Sequence, residues 1–574
     1  MANPNHLKLT RAVGLRIVFG VLVGIVVVNL FVIQVVRHQA YVERARSEHM
    51  KQFTIRAKRG QIYAMDGDER VPIVMNRQVW TVFLDPMSVG NADLYKEKLS
   101  SVLGDSVRAI IDKGMEDRSS RYYVIAREVE REKAEAIKAF EFAGVGLTLE
   151  TRRAYVEEGM AGQLLGFVNN EGVGQYGVEG GFNEVLSGTD GFMNTVTDVN
   201  LIPLSVGDEN VAEPAVDGRD VTLSIDRNVQ VGVERALKAG VEKLGADSGS
   251  AIVIDANDGR IVAMANWPTY NPADYRLVED AKVFQNSVVQ DPYEPASVIK
   301  TFTFATGIDI GTMNATQTFT NKASITVNGW PVKNYVPGYH GTMTMQEALN
   351  RSMNVGSVTA LMRFDGDGTR ITKKSKDILY NYYTERFGFG RPTGIGIFAN
   401  DGIVISPDDE EGGDVRYANM TFGQGMTANM LQVATAFAAV VNGGTYHAAY
   451  LDMDAERAAG YEAIKSSTSL QMREMLRNTW TFLNRGSRNK VPKDVVIGGK
   501  SGTAEVADLV NGGYKENEAI GSFIGYVGAT IDKPEYVVMV RVGGEEKVYE
   551  GWTHVSPIFS DIVNYMVKYK GIKG

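Results

Sequence analysis

The chain lacks cysteine altogether, and only six of its 574 residues are histidine. The missing cysteine excludes disulfides, thiolate metal sites and cysteine nucleophiles. The histidines lack the spacing of metal ligands, which disfavours a zinc hydrolase, and we expect neither a metal nor a cofactor. They are His6, His38, His49, His340, His447 and His554. A formal net charge of −9 argues against a general nucleic-acid binder.

Charged residues are missing from the stretch 17–36, which is almost wholly apolar. As a helix it would be about 30 Å long, enough to cross a bilayer core. We therefore predict one transmembrane helix at 17–36 after a cytoplasmic tail at 1–16. A cleaved signal peptide is the main alternative, although the run is longer than usual and no clean cleavage site follows. A buried helix of a soluble protein is the third possible interpretation of this stretch.

The orientation of that helix does not follow from charge. Three lysine or arginine residues precede the run, and four follow it up to residue 51. Because the two sides are similar, the positive-inside rule does not decide which side is cytoplasmic.

The rest of the chain divides at residues 205–220, whose glycine, proline and acidic residues are typical of a linker. Residues 37–217 alternate short β-rich runs with a charged helical segment at 128–142. From residue 218 onward, strand patterns at both ends enclose a largely helical middle, and an Asn-Asp-Gly turn at 257–259 marks a hairpin. This order predicts an α+β domain, an antiparallel sheet flanked by helices.

The best candidate nucleophile is Ser297, in a turn that runs into an apolar helix. Lys300 follows three residues later, so the two side chains share one helix face. A lysine activates a serine hydroxyl if burial or another cation lowers its pKa, and a helix N-terminus supplies N–H groups for an oxyanion. A chance match is the alternative, because the pattern recurs at 487–490 in a polar stretch that we interpret as a surface loop.

Two later segments supply the other groups that such a site needs. Arg351-Ser352-Met353-Asn354 offers a second hydroxyl and a carboxamide, and Lys500-Ser501-Gly502-Thr503 follows an apolar β-branched run. Taken alone, Ser352 and Asn354 would be interpreted as part of a polar loop or a helix cap. Lys500 alone would be interpreted as an edge-strand lysine that resists aggregation. Together with Ser297 and Lys300 they match the ordered Ser-x-x-Lys, Ser-x-Asn and Lys-[Ser/Thr]-Gly set. The sequence resembles a class B penicillin-binding protein, a membrane-anchored D,D-transpeptidase that cross-links peptidoglycan.

That resemblance implies a role for each site residue. Ser297 would attack the penultimate D-alanine of a stem peptide, and Lys300 would take its proton. Ser352 would relay the proton to the leaving amine, and Asn354 would hold a substrate amide. Lys500 would act with three substrate-binding residues on the edge of a strand, which are Ser501, Gly502 and Thr503. The chain departs from the family pattern at residue 296, where an alanine stands in place of the usual glycine.

The resemblance covers roughly residues 55–570 and is strongest from 219 onward. It implies that residues 37–217 are the family's non-catalytic pedestal, on the basis of two segments, Arg59-Gly60-Gln61-Ile62-Tyr63 and Gly174-Gln175-Tyr176-Gly177-Val178-Glu179. The first segment has Ala64 where an aspartate commonly follows. The C-terminal region, 218–574, looks slightly more like division-specific relatives, which would imply septal partners and a multi-pass glycosyltransferase. A D,D-carboxypeptidase or β-lactamase would use the same motifs. A non-catalytic membrane-anchored β-lactam receptor or scaffold is a further alternative.

Overall fold

The computed structural model describes residues 11–41, 50–196, 211–336, 338–486, 488–508 and 512–574. Residues 1–10 of the expected cytoplasmic tail, residues 205–210 of the expected linker and Ser487 of the second Ser-x-x-Lys lie outside the described residues. The chain forms two compact units, one of residues 1–59 and 187–218 and the other of residues 60–186 and 219–574.

The strands carry the numbers used below. In the described residues they are β1 (Met50–Ile55), β2 (Ile62–Asp66), β3 (Glu69–Leu84), β4 (Tyr123–Val129), β5 (Val145–Tyr155), β6 (Phe167–Val168), β7 (Gly174–Gln175), β8 (Gly191–Val196), β9 (Val211–Glu213), β10 (Val221–Asp226), β11 (Ser248–Asp255), β12 (Ile261–Trp267), β13 (Thr318–Asn321), β14 (Ser324–Val327), β15 (Trp330–Lys333), β16 (Gly341–Thr344), β17 (Thr445–Tyr446), β18 (Tyr461–Glu462), β19 (Val496–Ala507), β20 (Tyr514–Thr530) and β21 (Lys533–Gly543).

The α-helices are numbered in the same way. They are α1 (Arg11–Phe31), α2 (Ala92–Leu103), α3 (Ser106–Glu116), α4 (Arg131–Lys138), α5 (Gly162–Leu165), α6 (Gly177–Gly181), α7 (Asn183–Ser187), α8 (Arg227–Leu244), α9 (Ser287–Gln290), α10 (Lys300–Asp309), α11 (Met345–Asn350), α12 (Asn354–Arg363), α13 (Lys373–Asn381), α14 (Asp414–Met420), α15 (Met430–Val441), α16 (Ser466–Leu483) and α17 (Ser556–Lys570).

The predicted membrane helix is α1, which continues into a π-helical turn at Val32–Val36. The apolar span Val13–Val36 has 24 residues, and none of it is buried against the protein. It is the one helix in the described part of the chain that is long and apolar enough to cross a membrane. The unburied apolar surface excludes the reading as a buried soluble helix, because such a helix would be covered by other elements.

The N-terminal part is rich in strands, as predicted. In the smaller unit, β1, β8 and β9 form a three-stranded sheet. In the larger unit, β3 pairs with β2, β4 and β5, and α2, α3 and α4 surround a small core with β3 and β4. The prediction of a helix at 128–142 is wrong at both ends. Residues up to Val129 belong to β4, and α4 covers only Arg131–Lys138. The β-strand register with β3 overrides the helical preference there.

A buried ion pair holds the N-terminal part of the larger unit together. Arg153 donates from Nε to Glu179 Oε1 at 2.7 Å, and both side chains are buried. The same guanidinium donates from one terminal nitrogen to the Gly60 carbonyl at 2.9 Å and to Asn76 Oδ1 at 2.8 Å. One arginine thereby joins the start of the unit, strand β3, strand β5 and helix α6.

We expect Glu179→Gln to destabilise the protein by about 3–5 kcal/mol, because it leaves the Arg153 charge buried without a counter-charge. The measurement is the melting temperature of the detergent-solubilised full-length protein. The control is Glu135→Gln, which breaks the exposed Arg131–Glu135 pair and should cost less than about 1 kcal/mol. Equal losses in the two variants would contradict the prediction.

The C-terminal half contains the predicted antiparallel sheet, with strand order β12-β11-β21-β20-β19. One face packs on helices α8 and α17 through a cluster of valine, isoleucine and phenylalanine side chains. The other face packs on the largely helical region that contains α10, α12 and α15. The predicted α+β class is confirmed. Among the described strands β19 has a neighbour only on one side, so its other edge has unpaired backbone groups that can bind a peptide.

Candidate active site

Ser297 lies in a strained turn between the sheet and helix α10. Tyr293 forms a two-way backbone bridge with Ala428, which anchors the start of the turn. Ala296 has φ +48°, a left-handed conformation that costs a residue other than glycine about 1–2 kcal/mol. A 3₁₀ turn at Ala296–Ile299 then leads into α10 at Lys300. The regular helix therefore begins three residues after Ser297, later than the sequence predicts, and Ala296 supplies the change of direction.

The Lys300 amine is the centre of the site, and the side chain is fully buried. Its Nζ lies 2.9 Å from Ser297 Oγ and 3.1 Å from Ser352 Oγ. It also lies 2.7 Å from the Ser352 carbonyl oxygen and 2.8 Å from Asn354 Oδ1. The fold thus brings together two motifs that are more than fifty residues apart in the chain.

These contacts suit a neutral amine, which has two N–H groups and one lone pair. The Ser352 carbonyl and Asn354 Oδ1 can only accept hydrogen bonds, so they take the two N–H groups. The lone pair is left for a hydroxyl donor, and Ser297 Oγ is the closer of the two hydroxyls. The geometry therefore fits an amine that receives the proton of Ser297.

The electrostatics act in the same direction. Burial lowers the pKa of Lys300 well below its ordinary value, and the nearby Lys500 lowers it further. Burial also lowers the pKa of Lys500, to about 7. An anionic ligand beside Lys500 would raise its pKa again, because opposite charges favour the charged form. Burial and Lys500 therefore favour a neutral Lys300, and a bound anion would favour a charged Lys500.

Ser352 lies in a tight bend between two helices. Helix α11 begins with a capping box in which Thr344 and Glu347 bond each other's backbone, and it ends at Asn350. Ser352 has φ +57°, an uncommon conformation for serine that occurs mostly at constrained sites. Helix α12 starts at Asn354, whose Nδ2 donates to the Lys333 carbonyl at 2.7 Å, which fixes the amide with Oδ1 toward Lys300.

Strand β19 contributes the third motif. Lys500 is buried, and its Nζ donates to Ser352 Oγ at 3.0 Å and to the Ser501 carbonyl at 2.8 Å. Gly502 has no room for a side chain, since a Cβ would lie 2.5 Å from Ser522 Oγ and 2.9 Å from the Pro295 carbonyl. The absent side chain allows β19 to lie directly against the turn that carries Ser297.

The structure joins the predicted catalytic residues Ser297, Lys300, Ser352, Asn354 and Lys500 in one hydrogen-bond network. The side chain of Thr503 is engaged elsewhere: its Oγ1 accepts from the Gly551 N–H at 3.3 Å. The remaining predicted residues, Ser501 and Gly502, border the network through their backbone.

Sequence reasoning missed the groups that hold the nucleophile turn in place. Arg541, on the central strand β21, donates to the Asp291 carboxylate at 2.6 Å and to its carbonyl at 3.0 Å. Glu294 Oε1 accepts from the Gly425 N–H at 2.7 Å. Both acidic residues stand within six residues of Ser297, and that proximity was the one available signal. Their partners are distant in sequence and carry no pattern.

Comparisons with known proteins identify two domain families in the chain. Residues 249–564 match the family described as the penicillin binding protein transpeptidase domain, and residues 54–223 match the penicillin-binding protein dimerisation domain. The first match covers the nucleophile turn, the Ser-x-Asn bend and strand β19.

Similar curated proteins span nearly the whole chain. Stage V sporulation protein D of Bacillus subtilis is 28% identical, over 97% of this chain and 85% of that protein. The probable peptidoglycan D,D-transpeptidase PbpC of Pseudomonas aeruginosa is 27% identical, over 93% of this chain and 91% of that protein. The peptidoglycan D,D-transpeptidase FtsI of Escherichia coli is 24% identical, over 94% and 88%.

Solved structures share the fold. Penicillin binding protein 2X from Streptococcus thermophilus has a TM-score of 0.70 at 21% identity, with 91% of this chain and 80% of that chain covered. A peptidoglycan synthetase from Bifidobacterium adolescentis has a TM-score of 0.68 at 23% identity, with 92% and 98% covered. The pedestal and the catalytic half both belong to this shared architecture.

Proposed function

The chain belongs to the penicillin-binding protein transpeptidase family, and on that premise we propose that it is a serine D,D-transpeptidase that cross-links peptidoglycan stem peptides. The observation that carries the proposal is the fully buried Lys300 amine, 2.9 Å from Ser297 Oγ. A buried lysine bonded to a serine hydroxyl is an activated nucleophile. Peptidoglycan is the substrate, and β-lactams bind as acylating inhibitors.

In the proposed acylation step, Ser297 Oγ attacks the carbonyl carbon of the penultimate D-alanine while Lys300 takes the hydroxyl proton. The resulting oxyanion accepts hydrogen bonds from the N–H groups of Ser297 and Thr503. Collapse breaks the amide bond, and the proton on Lys300 passes through Ser352 Oγ to the leaving D-alanine amine. The Lys300–Ser352 distance of 3.1 Å supports that relay. The products are a Ser297 ester and free D-alanine.

In the second step, an amine of a neighbouring stem peptide attacks the Ser297 ester, and the same groups act in reverse. Lys300 accepts the proton that the attacking amine loses, and Ser297 leaves as a hydroxyl. Lys500 and Ser501 bind the terminal carboxylate of the donor during acylation, and Gly502 lets the peptide approach the strand edge. Asn354 orients a substrate amide. No proton or electron is gained or lost over the cycle.

We propose that the catalytic domain lies outside the cytoplasmic membrane, where peptidoglycan is assembled. The apolar α1 fits a single-pass membrane protein. We further propose the domain division of a tail at 1–16, an anchor at 17–36, a pedestal at 37–217 and a transpeptidase domain at 218–574. The matches at residues 54–223 and 249–564 support it. A role at the division septum, with a multi-pass glycosyltransferase and division proteins as partners, is proposed from FtsI-like relatives.

The test is covalent labelling of the full-length protein in detergent with a fluorescent penicillin, followed by peptide mass mapping. We expect a long-lived adduct on the peptide that contains Ser297. Rapid turnover of the adduct would instead favour a hydrolase, either a β-lactamase or a D,D-carboxypeptidase. No labelling at all would overturn the proposal in favour of a non-catalytic scaffold.

A further inference from the structure

The open edge of β19 sets a register for the donor peptide, if the proposed function holds. The terminal carboxylate of the donor then lies beside Lys500 and Ser501, and its reacting carbonyl lies beside Thr503. The peptide therefore runs antiparallel to β19 and adds a strand to the sheet. The side chain that lies two residues past Thr503, about 7 Å along the strand, is that of Glu505. It stands beside the donor residue that precedes the penultimate D-alanine.

The Glu505 carboxylate is exposed and is held by a hydrogen bond from another segment of the chain. Its Oε2 accepts from Gln424 Nε2 at 2.9 Å. Gln424 follows Gly423, whose carbonyl accepts the Ala296 N–H at 3.2 Å, next to the nucleophile. Glu505 forms no ion pair with any residue that the structure describes. The Glu505 carboxylate is therefore held by a residue next to the acceptor of the Ala296 N–H, and no described cation pairs with it.

The surroundings of Glu505 add to the negative charge. Burial raises the pKa of the Tyr335 phenol, and the carboxylates of Glu550 and Glu505 raise it further, so both lie near that phenol. Glu550 precedes Gly551, which donates to Thr503 Oγ1. The basic residue Arg416 is engaged by Glu411 at 2.7 Å and by the Gly425 carbonyl at 3.1 Å. A cationic group on the donor would meet attraction here, and the charge of Arg416 is already paired with Glu411.

The proposed reaction supplies donors that carry a cationic group. The attacking amine belongs to a stem peptide, and donor and acceptor are copies of the same repeating peptide, so the donor carries an amine as well. We propose that Glu505 is a specificity-determining residue that favours donors with a cationic side chain on the residue before the penultimate D-alanine. Gln424 is the positioning residue that holds the carboxylate in place.

The probe is a pair of penicillins that differ only in a free amine or an N-acetylated amine on the acylamino side chain, which takes the place of that donor residue. The measurement is the ratio of their second-order acylation rates on the full-length protein. We expect wild type to favour the free amine about threefold to fivefold, as for an exposed ion pair. The ratio should fall to about one in Glu505→Gln and below one in Glu505→Lys. Added salt should lower the wild-type ratio toward one, because it screens the interaction between the charges.

The matched control is Glu516→Gln, an exposed glutamate on the neighbouring strand β20, which should keep the wild-type ratio. A merely structural Glu505 would slow both penicillins equally in Glu505→Gln and leave the ratio unchanged, and this result would overturn the inference. A wild-type ratio of one would do the same. Failure of both penicillins to acylate wild type would instead overturn the proposed function.

Discussion

Ser297→Ala is expected to abolish the covalent penicillin adduct, because no other hydroxyl in the network can take its place. Ser352 Oγ lies 3.1 Å from the Lys300 amine but 3.0 Å from Lys500 as well, and its residue is held in a left-handed bend. Loss of a serine nucleophile costs about six orders of magnitude in serine hydrolases. The measurement is intact-protein mass after incubation with penicillin, with melting temperature as the check on folding.

The control for Ser297→Ala is Thr301→Val, one position past Lys300 on α10. Thr301 is buried, and its Oγ1 has no hydrogen-bond partner among the described residues. Removal of an unsatisfied buried hydroxyl is neutral or stabilising, so this variant should acylate like wild type. An adduct of normal mass on the Ser297→Ala protein would show that the nucleophile has been misassigned.

Lys300→Met is expected to slow acylation by about 10²- to 10⁴-fold, the usual contribution of a general base. Methionine keeps most of the side-chain volume, so the buried site stays filled, but the lone pair that receives the Ser297 proton is lost. The measurement is the second-order rate constant of acylation by one penicillin, compared with wild type. A loss of less than about tenfold would indicate that another group removes the proton.

The pH dependence separates the base from a structural lysine. Burial and Lys500 lower the pKa of Lys300, so its neutral form is present at pH values where an exposed lysine is charged. Acylation of wild type should therefore fall as the pH falls through the Lys300 pKa, because protonation removes the base. In Lys300→Met this limb of the profile should disappear. A variant that keeps the same limb at a lower rate would assign the titration to Lys500, whose pKa is lowered to about 7.

Local sequence was enough for several features of the protein. Hydrophobic runs have a length and a period, and these predicted the membrane helix and the hairpin of β11 and β12. The three motifs predicted every side chain in the hydrogen-bond network around Lys300, because each motif combines residue types that one chemistry requires. Such signals are contained in a few adjacent residues, so they can be recognised without knowledge of the fold.

Only the tertiary structure decided how these pieces work together. The low pKa of Lys300 arises from burial and from a second lysine two hundred residues away in the chain. The left-handed conformations of Ala296 and Ser352 are imposed by packing and contradict the residues' own preferences. The clamp of Arg541 on Asp291 and the bridge of Gln424 to Glu505 join distant segments. The sequence alone identified the groups that we propose carry out the chemistry, whereas their protonation and orientation depend on long-range contacts that no local pattern encodes.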